Sequence, residues 1–395
     1  MKSMTSIAIL FFLLTFSNLK KIDILQPSNL RATDDCKEKT FLPTEENSKI
    51  LGRFLQKEDS TWLVQSGSSL EFYITGSRAE MLLVGDSHIY SDPNFRPRFA
   101  IYVNDQLLLD STMNELEFNI ELFKYEEVED KKVKIKAMLL SENNNGGFGI
   151  KSITTYVCSN QNPIEEVEKK KLNIEFLGDS ITCAYGVEGK DQNENFKTIT
   201  ENSSKSYAYL ASQILDADYS TVCYSGSGIV SGYSGGEKNA DNLFPPHYKK
   251  ISRNANYPGE WDFSSHRYDV IFINLGTNDN NYVRGDPSRR NDEFIQEYVS
   301  FLSNVRQNNP DSYIICTIGT LGCAEIYTLI EQAIKIFGDS KVSSFLSPSQ
   351  DMNDGLGSDW HPSAITHQKL SKLVAEKISQ VLGWLNFKYI INILA

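Results

Sequence analysis

The chain has 395 residues and a net charge of −12, with 40% apolar and 23% charged residues. That is an ordinary globular composition, with length for about two or three domains and a sizeable core. The acidic balance argues against broad nucleic-acid binding, which needs a positive face, and no Walker-type or GxGxxG glycine loop points to a nucleotide cofactor.

In chain order, Lys2 precedes the apolar run "SIAILFFLLTF" at 6–16. A basic start before a short apolar stretch predicts a secretory signal peptide over 1–20 and an extracellular protein. The run is shorter than the ~20 residues that cross a bilayer, so no stable membrane association is expected after cleavage. Secretion permits disulfides among the six cysteines. Cys36 and Cys158 bracket the next region, so a bridge closing it is expected. Cys223 and Cys316 lie in or at the end of apolar runs and read as buried free thiols. No CxxC pair occurs, which disfavours structural zinc.

From 37 to 160 the runs "SLEFYITG", "EMLLVG", "RFAIYVND", "LEFNIELF" and "KVKIKAMLL" are short and β-rich, separated by Gly, Asn, Asp and Pro. They predict a β-sandwich of jelly-roll type, with a tight hairpin at Asn104-Asp105. The polar stretch "QNPIEEVEKK" (161–170) has a linker composition. Over 171–383 the pattern changes. Buried-strand runs begin with "KLNIEFLGD" at 171 and continue near 219, 268, 312 and 341. They alternate with helical spacing over 205–215, 292–305, 324–337 and 364–382. Such alternation predicts an α/β domain with a doubly wound parallel sheet. The apolar tail from 384 to 395 is too short to span a membrane and has no clear reading.

Gly-Asp-Ser occurs at 85–87, 178–180 and 338–340. Ser87 lies between strands and reads as a turn residue. Ser340 follows a helix, with Gly338 as its C-cap. Only Ser180 follows a buried strand and precedes a helix, where open parallel sheets carry their reactive groups. A serine nucleophile needs a base and donors for an oxyanion. "YSGSGI" (224–229) offers glycine N–H groups, "NLGTND" (274–279) offers the Asn278 amide, and "GSDWHPS" (357–363) offers His361 with Asp359 two residues before it. His88, His247 and His266 read as structural, and His367 as a surface position of the last helix. Trp360 could stack on a sugar or pack in the core. Tyr185 and Tyr282 flank these motifs. Asn202 opens the sequon "NSS", a glycosylation acceptor in a secreted protein.

These motifs, in this order, resemble the SGNH (GDSL) hydrolase superfamily over 171–383. With "EWDFS" at 260–264 and the preceding β-rich region, the chain over about 37–383 is similar to carbohydrate esterase family 2. The resemblance implies a jelly roll ahead of the hydrolase domain and removal of acetyl groups from plant polysaccharides. It implies Ser180 as nucleophile and His361 as general base. Asp359, or a backbone carbonyl, would orient the imidazole, and the N–H groups of Ser180 and Gly226 with the Asn278 amide would form the oxyanion hole. Gly226 is preferred to Gly228. Trp360 and Tyr185 are candidate substrate contacts. No metal or other cofactor is expected, and the partner is an acetylated polysaccharide or oligosaccharide. Ala184 stands where that branch usually has glycine. Two alternatives are another lipase, thioesterase or acyltransferase of the superfamily, and a carbohydrate-binding protein with an inactive hydrolase domain. The absence of a long apolar lid segment weighs against a lipase. Intact Ser180, Asn278 and His361 weigh against the binding protein.

Overall fold

The computed structural model describes residues 36–126, 130–158 and 162–384. The predicted leader over 1–20 and the tail beyond Trp384 lie outside the described residues. The β-rich region supplies β1 (Lys37–Phe41), β2 (Lys49–Leu51), β3 (Phe54–Gln56), β4 (Thr61–Leu63), β5 (Ser69–Gly76) and β6 (Arg78–Gly85). It continues with β7 (Arg98–Val103), β8 (Gln106–Thr112), β9 (Glu117–Lys124), β10 (Lys131–Leu139), β11 (Phe148–Val157) and β12 (Ile164–Glu166). One antiparallel sheet runs β3-β4-β11-β6-β9, with β1 added on β11, and the second runs β12-β5-β10-β7-β8, with β2 added on β5. Apolar residues recur at every second position, as at Leu70, Phe72 and Ile74 of β5 or Met81 and Leu83 of β6. That period of two turns them all to one face, where they form a shared core. Asn104 and Asp105 both take positive φ, the geometry that closes a two-residue hairpin between β7 and β8.

Pairing of Lys37 with Val157 sets Cys36 beside Cys158, and the two form a disulfide. The stretch expected as a linker is partly sheet: β12 pairs with β5 at Ile164↔Ile74 and buries Ile164. The charged residues around it concealed one apolar anchor. A second disulfide joins Cys183 to Cys223, so Cys223 is not the free thiol expected; Cys316 is free and buried.

The second half opens with β13 (Leu172–Gly178) and α1 (Ser180–Cys183), then α2 (Tyr207–Ile214), β14 (Ala217–Cys223) and β15 (Val270–Asn274). It closes with α3 (Asn280–Gly285), α4 (Pro287–Asn308), β16 (Tyr313–Ile318), α5 (Ala324–Phe337), β17 (Val342–Leu346) and α6 (Ala364–Val381). The strands form a parallel sheet in the order β14-β13-β15-β16-β17. Both faces are covered, which is why the strands read as continuous apolar runs. Ile271 and Ile273 of β15 pack with α4 and α5 through Phe294, Tyr298 and Ile330. Val270 and Phe272 of the same strand pack with α2 and α6 through Ala208, Ala211 and Val374. His367 belongs to this second layer rather than the surface. It is fully buried, and its Nδ1 accepts the Tyr207 N–H at 3.1 Å, tying α6 to the start of α2.

The sandwich and the parallel sheet share polar contacts. Arg53, between β2 and β3, is fully buried and pairs with Glu175 of β13 at 3.0 Å. It also donates to the carbonyls of Tyr248 and Lys250 and lies over the rings of Tyr248 and Phe263.

Candidate active site

Strand β13 lies between β14 and β15. The loops after β14 and β15 therefore leave on opposite sides of it, and the crevice at such a switch point is where ligands bind in open α/β sheets. Ser180 follows β13, Gly226 follows β14 and Asn278 follows β15. All three line one cleft of about 750 Å³ together with Tyr185, Tyr233, Gln350, Asp359, Trp360 and His361.

Ser180 begins α1, a single helical turn. Asp179 caps it, its Oδ1 accepting the Ile181 N–H at 3.0 Å. Gly178 is needed just before it, because a Cβ there would lie 1.9 Å from the Thr182 hydroxyl oxygen. Ala184 ends the turn at φ 64°, a left-handed conformation that costs a residue with a Cβ about 1 kcal/mol or more. A glycine would take this conformation without that cost.

The Ser180 Oγ lies 2.9 Å from the His361 Nε2. The His361 Nδ1 lies 3.1 Å from the backbone carbonyl oxygen of Asp359. A carbonyl can only accept, so the ring proton sits on Nδ1 and the Nε2 lone pair faces the serine. The Asp359 carboxylate, expected as one candidate orienter of the imidazole, is turned away. Its Oδ2 accepts the Tyr185 O–H at 2.9 Å and the Phe196 N–H at 3.0 Å. With one residue between Asp359 and His361, the carbonyl and the carboxylate of Asp359 point to different partners, and the carbonyl is the one that reaches His361. Burial holds the His361 imidazole below its ordinary pKa, so it stays neutral.

Gly226 sits at φ 74° and borders the cleft. The Gly228 N–H is already bonded to the Asn242 carbonyl at 3.2 Å, which distinguishes the two glycines. The Asn278 Nδ2 donates to the Ser227 carbonyl at 2.9 Å and has a long 3.4 Å contact to Asp179. Its second N–H, held only by that long contact, is the one a bound oxyanion would have to draw away from Asp179. Burial pushes the Asp179 carboxyl up to about 7 and that of Asp279 up to about 6. Asp279 accepts the N–H groups of Ile229, Val230 and Ser231 at 2.7–3.0 Å and so fixes the loop after Gly226.

Trp360 is 57% exposed and Tyr233 68% exposed, both at the cleft. Tyr282 is buried and bonds Glu293, away from the cleft lining. Neither Ser87 nor Ser340 lines this cleft: the first opens a 3-10 turn after β6, and Gly338 before the second caps α5 at φ 72°.

Several contributors were not read from the sequence. Glu142, in the sandwich, accepts the Ser225 N–H at 2.8 Å and so holds the residue before Gly226. The Cys183–Cys223 bridge joins the end of α1 to the end of β14. The ring of Phe196 stacks on Tyr185 at 4.1 Å. An aromatic within the glycine-rich "SGYSGG" was the available signal for Tyr233; a lone Glu offers none for Glu142. Among the described residues Glu142, Cys183 and Glu201 bring ligand-type atoms within 4.8 Å of one another, but the Cys183 sulfur is bonded to Cys223 and offers no thiolate.

Fold and site together define the class: an SGNH-type hydrolase domain behind an antiparallel β-sandwich. The chain belongs to the GDSL-like lipase/acylhydrolase family, whose family model matches residues 174–374. It is 36% identical over 219 residues to the cellulase/esterase CelE of Acetivibrio thermocellus, a match covering 53% of this chain and 26% of that protein. The chain thus spans about a quarter of that relative's length. It is 23% identical over 355 residues to an acetylxylan esterase / glucomannan deacetylase of Cellvibrio japonicus, covering 87% of this chain and 92% of the relative. Among solved structures, it is similar to a family two carbohydrate esterase from Clostridium thermocellum in complex with cellohexaose. The TM-score is 0.72 and the identity 27%, with 86% of this chain and 100% of that one covered.

Proposed function

We propose that this chain is a secreted serine esterase that removes O-acetyl groups from a plant polysaccharide, xylan or glucomannan, through an acyl-enzyme intermediate. The observation that carries the proposal is the 2.9 Å contact between Ser180 Oγ and His361 Nε2 inside an aromatic-walled cleft. Support for the substrate class comes from relatives named as acetylxylan esterase and glucomannan deacetylase, and from a similar structure with cellohexaose bound. Exposed Trp360 and Tyr233 offer flat apolar faces of the kind that suit pyranose rings. Two disulfides support an oxidising destination. Among the described residues no helix is long and apolar enough to cross a membrane.

In this mechanism Ser180 Oγ attacks the acetyl carbonyl carbon while His361 Nε2 takes its proton. The N–H groups of Ser180 and Gly226 and the Asn278 amide receive the oxyanion. The protonated His361 then gives its proton to the departing sugar oxygen. Water repeats the sequence on the acetyl-serine, with His361 again the base, and acetate leaves.

The test is acetate release from acetylated xylan and acetylated glucomannan by the wild type and by Ser180→Ala. Release that vanishes in the variant is expected. Ser180-dependent cleavage of 4-nitrophenyl acetate without release from either polysaccharide would keep the esterase and remove the carbohydrate. No cleavage by folded protein would leave a binding protein.

A further inference from the structure

His361 takes its orientation from a carbonyl held in an unusual backbone. Asp359 has φ 50° and ψ 41°, and Trp360 follows at φ 66°. Two successive residues with side chains in the left-handed region do not persist unless their surroundings fix them, because the Cβ of each crowds its own backbone there. What fixes Asp359 comes from the segment after α1. Its N–H donates to the Glu194 carbonyl at 3.2 Å, and its carboxylate receives the Phe196 N–H and the Tyr185 O–H. The same Tyr185 ring lies 4.3 Å from the His361 ring, centroid to centroid, and 4.1 Å from that of Phe196. One residue thus packs on the imidazole and grips the residue whose carbonyl orients it.

We infer that Tyr185 is a positioning residue: its hydroxyl, bonded to the Asp359 carboxylate, keeps Asp359 left-handed so that the Asp359 carbonyl stays on the His361 Nδ1–H. The carboxylate serves as a handle on the backbone, and its charge is the smallest of the influences on the imidazole. Burial and the adjacent Asp359 carboxylate raise the Tyr185 phenol above its ordinary pKa, so it remains a donor across the working range. The inference rests on the proposed Ser180–His361 chemistry and assigns Tyr185 a place in it other than substrate contact.

Tyr185→Phe keeps the ring and removes only the hydroxyl. With 4-nitrophenyl acetate it is expected to lower kcat about tenfold and to leave KM within about twofold, the size of one hydrogen bond to a charged acceptor. A substrate-contact role would raise KM instead. Asp359→Ala is expected to lose more. Asp359→Gly should recover at least about fivefold over Asp359→Ala, since glycine takes the left-handed conformation without a handle. In the Asp359→Gly background, adding Tyr185→Phe should change kcat by less than about twofold, because no carboxylate is left to grip. Equal activity of the Ala and Gly variants, or a full tenfold loss on adding Tyr185→Phe to Asp359→Gly, overturns the inference. The His361 Nδ1–H proton signal in NMR gives a reading independent of turnover. It is expected downfield in the wild type and shifted or lost in Tyr185→Phe. If the wild type cleaves no ester, the proposed function falls, and an unchanged signal in Tyr185→Phe alone overturns the clamp.

Discussion

His361 combines two opposing influences at one ring. Burial lowers its pKa, while the Asp359 carbonyl, by accepting from Nδ1, favours the protonated form and offsets only part of that effect. A carbonyl carries no full charge, so it stabilises the imidazolium less than a carboxylate would. The base acts only when neutral, and a lowered pKa keeps it neutral further into acid. The acid limb of kcat/KM is therefore expected below 6.5, the ordinary imidazole value. A pH profile with a small acetyl ester checks this, and a limb at or above that value would contradict the carbonyl arrangement. Ser180 and His361 were legible in the sequence because each sits at an element end that the apolar pattern marks. The partner of Nδ1 was not, since the same residue offers both a carboxylate and a carbonyl, and only the backbone angle decides between them.

At the scale of elements, the site is a set of turns held from behind. Asp279 gathers three N–H groups from 229–231 in full burial. Asp279→Ala leaves three buried donors without acceptors, at about 1 kcal/mol or more each. Urea unfolding is expected to show a loss of at least about 3 kcal/mol on that basis, with activity falling as the Gly226 loop loosens. The Cys183–Cys223 bridge ties another pair, the turn after β13 and the end of β14. Cys183 lies three residues after Ser180, and Cys223 three before Gly226. Cys183→Ser/Cys223→Ser is expected to lower stability by about 2–4 kcal/mol and to reduce kcat more than it raises KM. An unchanged kcat would show that the bridge serves stability alone. This pairing was hidden in sequence because it depends on β13 lying beside β14, where Gly178 faces Cys223. His367 is the opposite case. It shares the stripe of Leu370, Ser371 and Val374, so helical spacing alone placed it inside, and its polar ring misled.

For the whole molecule, the sandwich and the parallel sheet behave as one compact unit from Cys36 onward. The sandwich reaches the site through Glu142 at Ser225, and the sheet through Arg53 at Glu175. Contacts across 83 and 122 positions have no signature in a single sequence, which is why the β region read as a separate module. Arg53→Ala strands a fully buried Glu175 and is expected to cost about 3–5 kcal/mol. Calorimetry should give one endotherm for the wild type and one, at lower temperature, for the variant. Two separated endotherms would mean that the halves unfold independently.

Asn202 carries a consequence for how the protein is produced. Its side chain is buried, with Nδ2 donating to Glu188 at 3.0 Å and Oδ1 accepting from the Ser204 N–H and hydroxyl. The nitrogen that a sugar transferase would modify is thus consumed by folding. In a yeast secretory host, oligosaccharide attachment and chain collapse compete for the same atom. The product that leaves the cell is expected to be bare at Asn202, with glycosylated chains retained as misfolded. Mass mapping of secreted and retained material decides it, and Asn202→Asp, which keeps the cap on Ser204 and removes the acceptor but sets a charge beside Glu188, should move protein from the retained pool to the medium. Asn202→Ser, without that charge, separates the two effects.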